Sequence, residues 1–250
     1  MGMLDGKVAV VTGGGSGIGK AIAGAYVHEG CSVVIASRGA DKLQQAAREI
    51  QAAATGTARV VAIPADITDE KQVVALFGKV TQQFKRLDIL VNNSGQFGGG
   101  RVDTLSLEKW KAVLDVNLTG AFLCLREAFK IMKDAGGGRI INIGSIAAQR
   151  PRQHSAPYTT SKFAIWGLTN AAALDGRDFG IAVSCLHPGN TEVERRSDSR
   201  SATGRDEGPE PMISRDPIAR TAVLMATLPP EANMLEAIVL PVKQTYLGRG

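Results

Sequence analysis

The chain holds 250 residues, of which 44% are hydrophobic and 21% charged, with mean hydropathy near zero. This is the composition of a globular protein and excludes disordered, collagen-like and low-complexity classes. The formal charge of +5 is spread along the chain without a basic stripe, and aromatic residues make up only 5%, so nucleic acid is not an expected partner.

In chain order, apolar runs of strand length alternate with longer stretches of helical period. Residues 7–12 read as a strand, 18–29 as an amphipathic helix, and 32–36 as the next strand. A helix with a polar face follows at 41–54, then a strand at 59–63 closed by Pro64. Residues 70–84 are helical and 88–92 form a strand. The spacing predicts one long helix over 107–133, stopped by Gly136, Gly137 and Gly138. A strand at 139–143 leads to a helix at 157–179 with Pro157 in its first turn, and strands at 181–186 and 237–240 complete the series. Such alternation predicts a single-domain α/β fold over 1–250, a doubly wound parallel sheet with helices on both faces. The strands are apolar almost throughout, as expected when both faces are covered. Residues 190–215 break the rhythm with polar and charged residues and Gly204, Gly208, Pro209 and Pro211, and read as a substrate lid.

Cys31, Cys124 and Cys185 are far apart, with no Cys-x-x-Cys and no metal-ligand spacing, so buried reduced thiols in a cytoplasmic protein are expected, and no metal. No apolar run approaches the ~18 residues of a membrane span. The first residues lack the charged start and apolar core of a secretory signal.

The run from Val10 to Lys20 joins a strand to a helix through Gly13, Gly14, Gly15, Ser16, Gly17, Ile18 and Gly19. Glycines let the backbone turn tightly against a pyrophosphate, and the helix start offers free N–H groups and partial positive charge to that anion. The spacing Gly13-x-x-x-Gly17-x-Gly19 is one residue longer at its start than the commonest dinucleotide fingerprint. The second strand should end at the adenosine ribose. A carboxylate there would select NAD, but this chain has Ser37 and Arg38, a hydroxyl and a guanidinium suited to a 2′-phosphate. NADP(H) is therefore the expected cofactor, with NAD(H) as the alternative. Asp66, followed by Ile67 after the third strand, is positioned to accept from an adenine amino group, and the same stretch to Asp69 reads as a helix cap.

Tyr158 and Lys162 are four residues apart on one helical face, and Ser145 ends the preceding strand. Ligands bind at such strand ends in parallel sheets. A phenol of pKa about 10 is a poor acid or base by itself, and a nearby ammonium favours its phenolate. A serine hydroxyl beside it can bond a substrate oxygen. The trio can move one proton on a carbonyl or alcohol while a nicotinamide moves the hydride.

With these elements in place, the chain resembles the short-chain dehydrogenase/reductase family over essentially its whole length. The matching residues are Thr12-Gly13-x-x-x-Gly17-Ile18-Gly19, Asn92-Asn93-Ser94-Gly95, Asn117, Ser145, Tyr158-x-x-x-Lys162 and Pro188-Gly189. The resemblance implies a Rossmann-type sheet of about seven strands, assembled as a homo-tetramer or homo-dimer. It implies Tyr158 as general acid in reduction and base in oxidation, with Ser145 orienting the carbonyl. It gives Lys162 the nicotinamide ribose and the lowering of the Tyr158 pKa, and gives Asn117 a water linking Lys162 to solvent. Asn92 would shape the cofactor-site floor, joined by Asn93, Ser94 and Gly95, while Pro188, Gly189 and Thr191 would flank the nicotinamide and phosphates. Ser94 stands where the family usually has alanine, and Thr191 follows Pro188-Gly189 sooner than usual. The tail, with Leu228-Pro229-Pro230 and a stretch ending at Tyr246, resembles the branch of NADP-dependent hydroxy-acid and serine dehydrogenases and some carbonyl reductases.

The substrate cleft is expected between the residues after Ser145, those near Gln96, and the lid. Arg150, Arg152 and His154 would welcome a carboxylate or phosphopantetheine-bearing substrate, or else belong to a solvated loop. The lid's charges nearly cancel and predict no substrate charge. His28 and His187 are expected to be structural or surface residues, and Trp110 and Trp166 to be packing. The expected function is interconversion of a small-molecule carbonyl compound and its alcohol. The alternatives are a 3-oxoacyl-thioester reductase or hydroxy-acid dehydrogenase, and a non-catalytic nucleotide sensor, which need not retain Tyr158, Lys162, Ser145 and Asn117 together.

Overall fold

A computed structural model describes residues 2–193 and 210–246. Its elements are β1 (Val8–Thr12), α1 (Gly17–His28), β2 (Ser32–Ser37), α2 (Ala40–Gln51), β3 (Val60–Pro64), α3 (Glu70–Phe84) and β4 (Ile89–Asn92). They continue as α4 (Leu107–Leu114), α5 (Gly120–Asp134), β5 (Gly138–Ile143), α6 (Ala156–Gly176), β6 (Ile181–Pro188), α7 (Asp216–Thr227) and β7 (Glu236–Val239). All seven strands are parallel in one sheet of order β3-β2-β1-β4-β5-β6-β7, the Rossmann-type α/β fold.

Alternation along the strands builds two cores, because successive side chains point to opposite faces. Ala9, Val11, Val33, Ile35, Ile89, Val91 and Ile141 pack on one side against Ile22 and Tyr26 of α1, Leu43 of α2 and Ile218 of α7. Val8, Val10, Val34, Ala36, Leu90, Ile140 and Val183 pack on the other against Leu76 of α3, Ala128 of α5 and Ala172 of α6. The central strands are therefore apolar on both faces, with polar residues such as Thr12, Asn92 and Asn142 at their carboxyl ends. The chain reverses direction across the sheet after β3, which places β4 beside β1 and opens the ligand-binding crevice between them.

The helix expected over 107–133 is divided. Between α4 and α5, residues Asp115–Thr119 form a π turn, a widened turn that recurs at functional sites and carries no periodicity signal of its own. Helix α7 was not among the elements read from periodicity. Its signals are Pro217 in the first turn and the buried face of Ile218, Ala219, Ala222 and Val223. Arg139 at the start of β5 donates to the carbonyls of Leu228, Pro229 and Ala232, at 2.6, 2.7 and 2.7 Å, and so closes the carboxyl end of α7. Of the expected lid, the flanks meet where Thr191 pairs with Ile213, and residues 194–209 lie outside the described residues. The three cysteines are buried free thiols. Among the described residues, no helix is long and apolar enough to cross a membrane.

Candidate active site

The glycine loop closes the crevice at the end of β1. Gly13 adopts φ 64° and donates to Ala36 O at 2.7 Å, a left-handed conformation that favours glycine. At Gly19 a Cβ would stand 2.3 Å from Asn93 Nδ2 and 2.6 Å from Gly13 O, so only glycine lets α1 approach the loop this closely. Asn93 Nδ2 donates to Thr12 O and Gly13 O at 3.0 and 3.3 Å. Thr12 Oγ1 accepts from the amides of Asn93 and Ser94 at 3.0 and 3.1 Å. Thr12 and Asn93 thus lock the two strand ends together.

Ser16 occupies the N-cap of α1 but its side chain makes no capping bond, and the first turn carries no acid. By contrast, Asp69 caps α3 through Lys71 N and Gln72 N, and Ser106 caps α4 through Lys109 N. The first turn of α1 thus carries neither a Ser16 side-chain cap nor an acid that would repel an anion, and Gly15, Ser16, Gly17 and Ile18 line that end. A dinucleotide pyrophosphate fits this cradle. Gly15 faces Ser37 at the end of β2, where a Cβ would lie 3.6 Å from Ser37 Oγ, and Arg38 follows, exposed to solvent. Asp66 Oδ1 accepts from Thr68 N and Oγ1 at 3.0 and 2.8 Å, while Ile67 is buried beside it.

Bonds between distant parts of the chain hold Lys162, Asn117 and Ser145, and Tyr158 lies one turn before Lys162 on α6. Lys162 is buried, and its Nζ donates to Ile143 O at 2.8 Å, two residues before Ser145. Burial lowers the Lys162 ammonium to a pKa of about 8, against a smaller opposing effect of Cys185. Its Nζ lies 5.7 Å from the centre of the Tyr158 ring. Ser145 is in extended conformation and its Oγ accepts from Ala147 N at 3.1 Å. Asn117, inside the π turn, donates to Gln96 O at 3.1 Å and Ser161 Oγ at 2.9 Å and accepts from Gln96 N at 2.7 Å. Its side chain clamps the loop after β4, including Gly95, onto α6. Below, Asn92 Nδ2 donates to Asn142 Oδ1 at 2.9 Å, and Asn142 Nδ2 to Thr169 Oγ1 at 2.9 Å, a buried polar series under the crevice floor.

Pro188 and Gly189 follow on β6, with Gly189 N bonded to Val239 O at 2.7 Å. Thr191 is buried, and its hydroxyl donates to Gly189 O at 3.1 Å, so it turns back on its own backbone. Arg152 is tied to Glu210 at 2.8 Å and to Asn190 Oδ1 at 3.1 Å, and Arg150 lies over the Tyr246 ring at 5.7 Å. Arg152 is thus paired with a carboxylate of the chain, while Arg150 is exposed. His28 sits in the last turn of α1, and Trp166 packs its edge against His187.

Two residues gain importance that the sequence reading did not give them. Phe97 stacks on Tyr158, with centroids 4.8 Å apart and planes at 26°, while remaining 60% exposed. Its place directly after Gln96 was the available signal. His187 is fully buried, and its Nδ1 lies 3.2 Å from Ser145 N and 2.9 Å from Ser145 O. Burial lowers its pKa, the backbone bond to Ser145 and the charge of Glu236 acting in the other direction. No local pattern marks it.

A Rossmann-type sheet with an open glycine cradle at its switch point defines a class of nucleotide-dependent enzymes. The family model for short chain dehydrogenases matches residues 7–204. A 3-alpha-(or 20-beta)-hydroxysteroid dehydrogenase of Mycobacterium bovis is 40% identical over 188 residues, 75% of this chain and 70% of that protein. A metagenomic short-chain oxidoreductase solved with NADP superposes at a TM-score of 0.81, with 33% identity over 96% of this chain and 98% of that one. An actinorhodin polyketide ketoreductase variant solved with NADPH superposes at 0.87, with 28% identity over 96% and 98%. The chain belongs to the short-chain dehydrogenase/reductase family and is an oxidoreductase of that family.

Proposed function

We propose that the protein interconverts a carbonyl compound and its alcohol using NADP(H). The observation that carries this reading is the buried Lys162 ammonium, held by Ile143 O two residues from Ser145 and 5.7 Å from the Tyr158 ring. In reduction, Tyr158 gives its phenolic proton to the carbonyl oxygen, and in oxidation it takes that proton back. Ser145 bonds the same oxygen and orients it. Lys162 favours the phenolate and holds the nicotinamide ribose, and Asn117 fixes α6 beside a water that links Lys162 to solvent. Asn93, Ser94 and Gly95 wall the cofactor crevice, with Pro188, Gly189 and Thr191 on its other side. Asp66 and Ile67 would hold the adenine. Gly13, Gly15, Ser16, Gly17, Ile18 and Gly19 would hold the dinucleotide, whose nicotinamide would supply or take up the hydride when bound. Ser37 and Arg38 favour a 2′-phosphate, in line with the NADP and NADPH of the two solved relatives.

The stacked ring of Phe97 favours a flat apolar substrate over Tyr158, and the hydroxysteroid dehydrogenase relative agrees with a ring ketone or ring alcohol. The pairing of Arg152 with Glu210 favours a neutral substrate over an acidic one. Exposed Phe122, Phe163 and Leu174 on α5 and α6 support a homo-dimer or homo-tetramer, and buried free thiols suit the reducing cytoplasm. The test is a panel of neutral ring ketones, open-chain ketones and 3-oxo acids with NADPH, followed by nicotinamide absorbance. Ring ketones should give the highest kcat/KM. A preference for 3-oxo acids would overturn the substrate class, and NADPH left unoxidised by every compound would overturn the function.

A further inference from the structure

The ring of His187 rests directly on the backbone of the catalytic strand end. A Cβ at Gly144 would lie 2.6 Å from its Nδ1 and 2.7 Å from its Cε1, so glycine at 144 makes room for it. Trp166 fixes the ring from the side at 6.0 Å. On its far edge, Nε2 lies 3.3 Å from Glu236 Oε1, within ion-pair distance though without hydrogen-bond geometry. The same Oε1 accepts from Gln149 Nε2 at 2.6 Å. Gln149 Oε1 in turn accepts from the Tyr246 hydroxyl, and the Tyr246 ring lies under the Arg150 guanidinium. An unbroken series of side chains runs from the tail, through β7 and the loop after β5, to the main chain of Ser145.

We propose that His187, Glu236, Gln149 and Tyr246 are positioning residues that fix Ser145, and that the tail completes this network through the Tyr246 hydroxyl. The proposal rests on reading Ser145 as the group that bonds the substrate oxygen. A carboxylate beside Nε2 disfavours a lone pair there and selects the tautomer with its proton on Nε2. Nδ1 is then an acceptor for Ser145 N–H rather than a donor to Ser145 O. The amide of Ser145 is held, its Oγ accepts from Ala147 N, and the hydroxyl hydrogen is left to aim at the substrate. A donor fixed before the reaction stabilises developing charge without reorganising, so loosening it lowers kcat more than binding.

Tyr246→Phe removes one hydroxyl and keeps the ring under Arg150, and Glu236→Gln removes the charge at nearly constant shape. Each should lower kcat about three- to tenfold, with the KM for NADPH and the Tm near those of the unaltered protein. In a Ser145→Ala background, Tyr246→Phe should cost less than about twofold more, since coupled positions are not additive. A merely structural role would cost the same in both backgrounds. Nitrogen-15 spectra of the three imidazoles, with His187 assigned from its loss in His187→Gln, read the tautomer without any turnover. They should show His187 neutral with its proton on Nε2, and a mixture of tautomers in Glu236→Gln. Unchanged kcat in both variants, equal cost with and without the Ser145 hydroxyl, or a proton on Nδ1 in the unaltered protein would each overturn the proposal. If the unaltered protein reduces no carbonyl at all, the proposed function fails, and the imidazole spectra alone decide whether the network exists.

Discussion

Lys162 shows how a single side chain sets the character of the site. Burial lowers its pKa to about 8, below the ~10.4 of a free lysine in the unfolded chain. Between those values the unfolded chain binds the extra proton, so stability must rise with pH over that window. Below about 8 both states are protonated and the contribution is constant. In the cofactor-free protein the full effect is on the order of 3 kcal/mol. The expected outcome is that the Lys162→Met variant, compared with the unaltered protein by denaturant midpoints, loses its relative advantage as pH rises from 7 toward 10. The buried thiols of Cys31 and Cys124, pushed up by burial, act oppositely at alkaline pH but are common to both proteins, whereas Cys185 faces Lys162 and is compared in a Cys185→Ala background. An offset between the two proteins that does not change with pH would show that Lys162 is not desolvated as the structure describes.

At the scale of elements, the cradle depends on how closely α1 can approach the loops that follow β1 and β4. Gly19→Ala would push its methyl into Asn93 Nδ2 and Gly13 O, forcing apart the bonds that join the strand ends. The expected outcome is at least about tenfold weaker NADPH binding by fluorescence titration, with Tm lowered by far less than a core substitution would cause. Unchanged affinity would mean that the close approach does not shape the cradle. The glycine loop and the Tyr158–Lys162 spacing were legible because both are local, a turn that needs glycine and a helical repeat. Asp69 also proved to cap α3 as its surroundings suggested. The π turn was not legible, because its effect is to displace a helical stripe by one residue, and the surrounding period reads the same on either side. The expected contacts of Arg150 and Arg152 illustrate the other limit. The sequence puts two guanidiniums near Ser145, but only the fold supplies Glu210, which pairs with Arg152 and leaves Arg150 exposed over the Tyr246 ring.

Across the whole molecule, alternation predicts a doubly wound parallel sheet, and the family resemblance adds its Rossmann type of about seven strands, while the strand order itself comes from the fold. What could not be read is the meaning of residues whose partners are distant in the chain. His187 meets Ser145 from β6 and Glu236 from β7, and Phe97 meets Tyr158 across two loops. Such pairings arise from tertiary packing and leave no period or spacing behind. The proposed function centres on one phenol whose ring lies 5.7 Å from a buried ammonium. The most direct measurement on that claim is the Tyr158→Phe protein assayed with NADPH and its best carbonyl substrate, with cofactor binding followed in parallel by thermal shift. NADPH should stabilise the variant as it does the unaltered protein, while kcat falls at least about a hundredfold. Turnover at the original rate with NADPH bound would contradict the account.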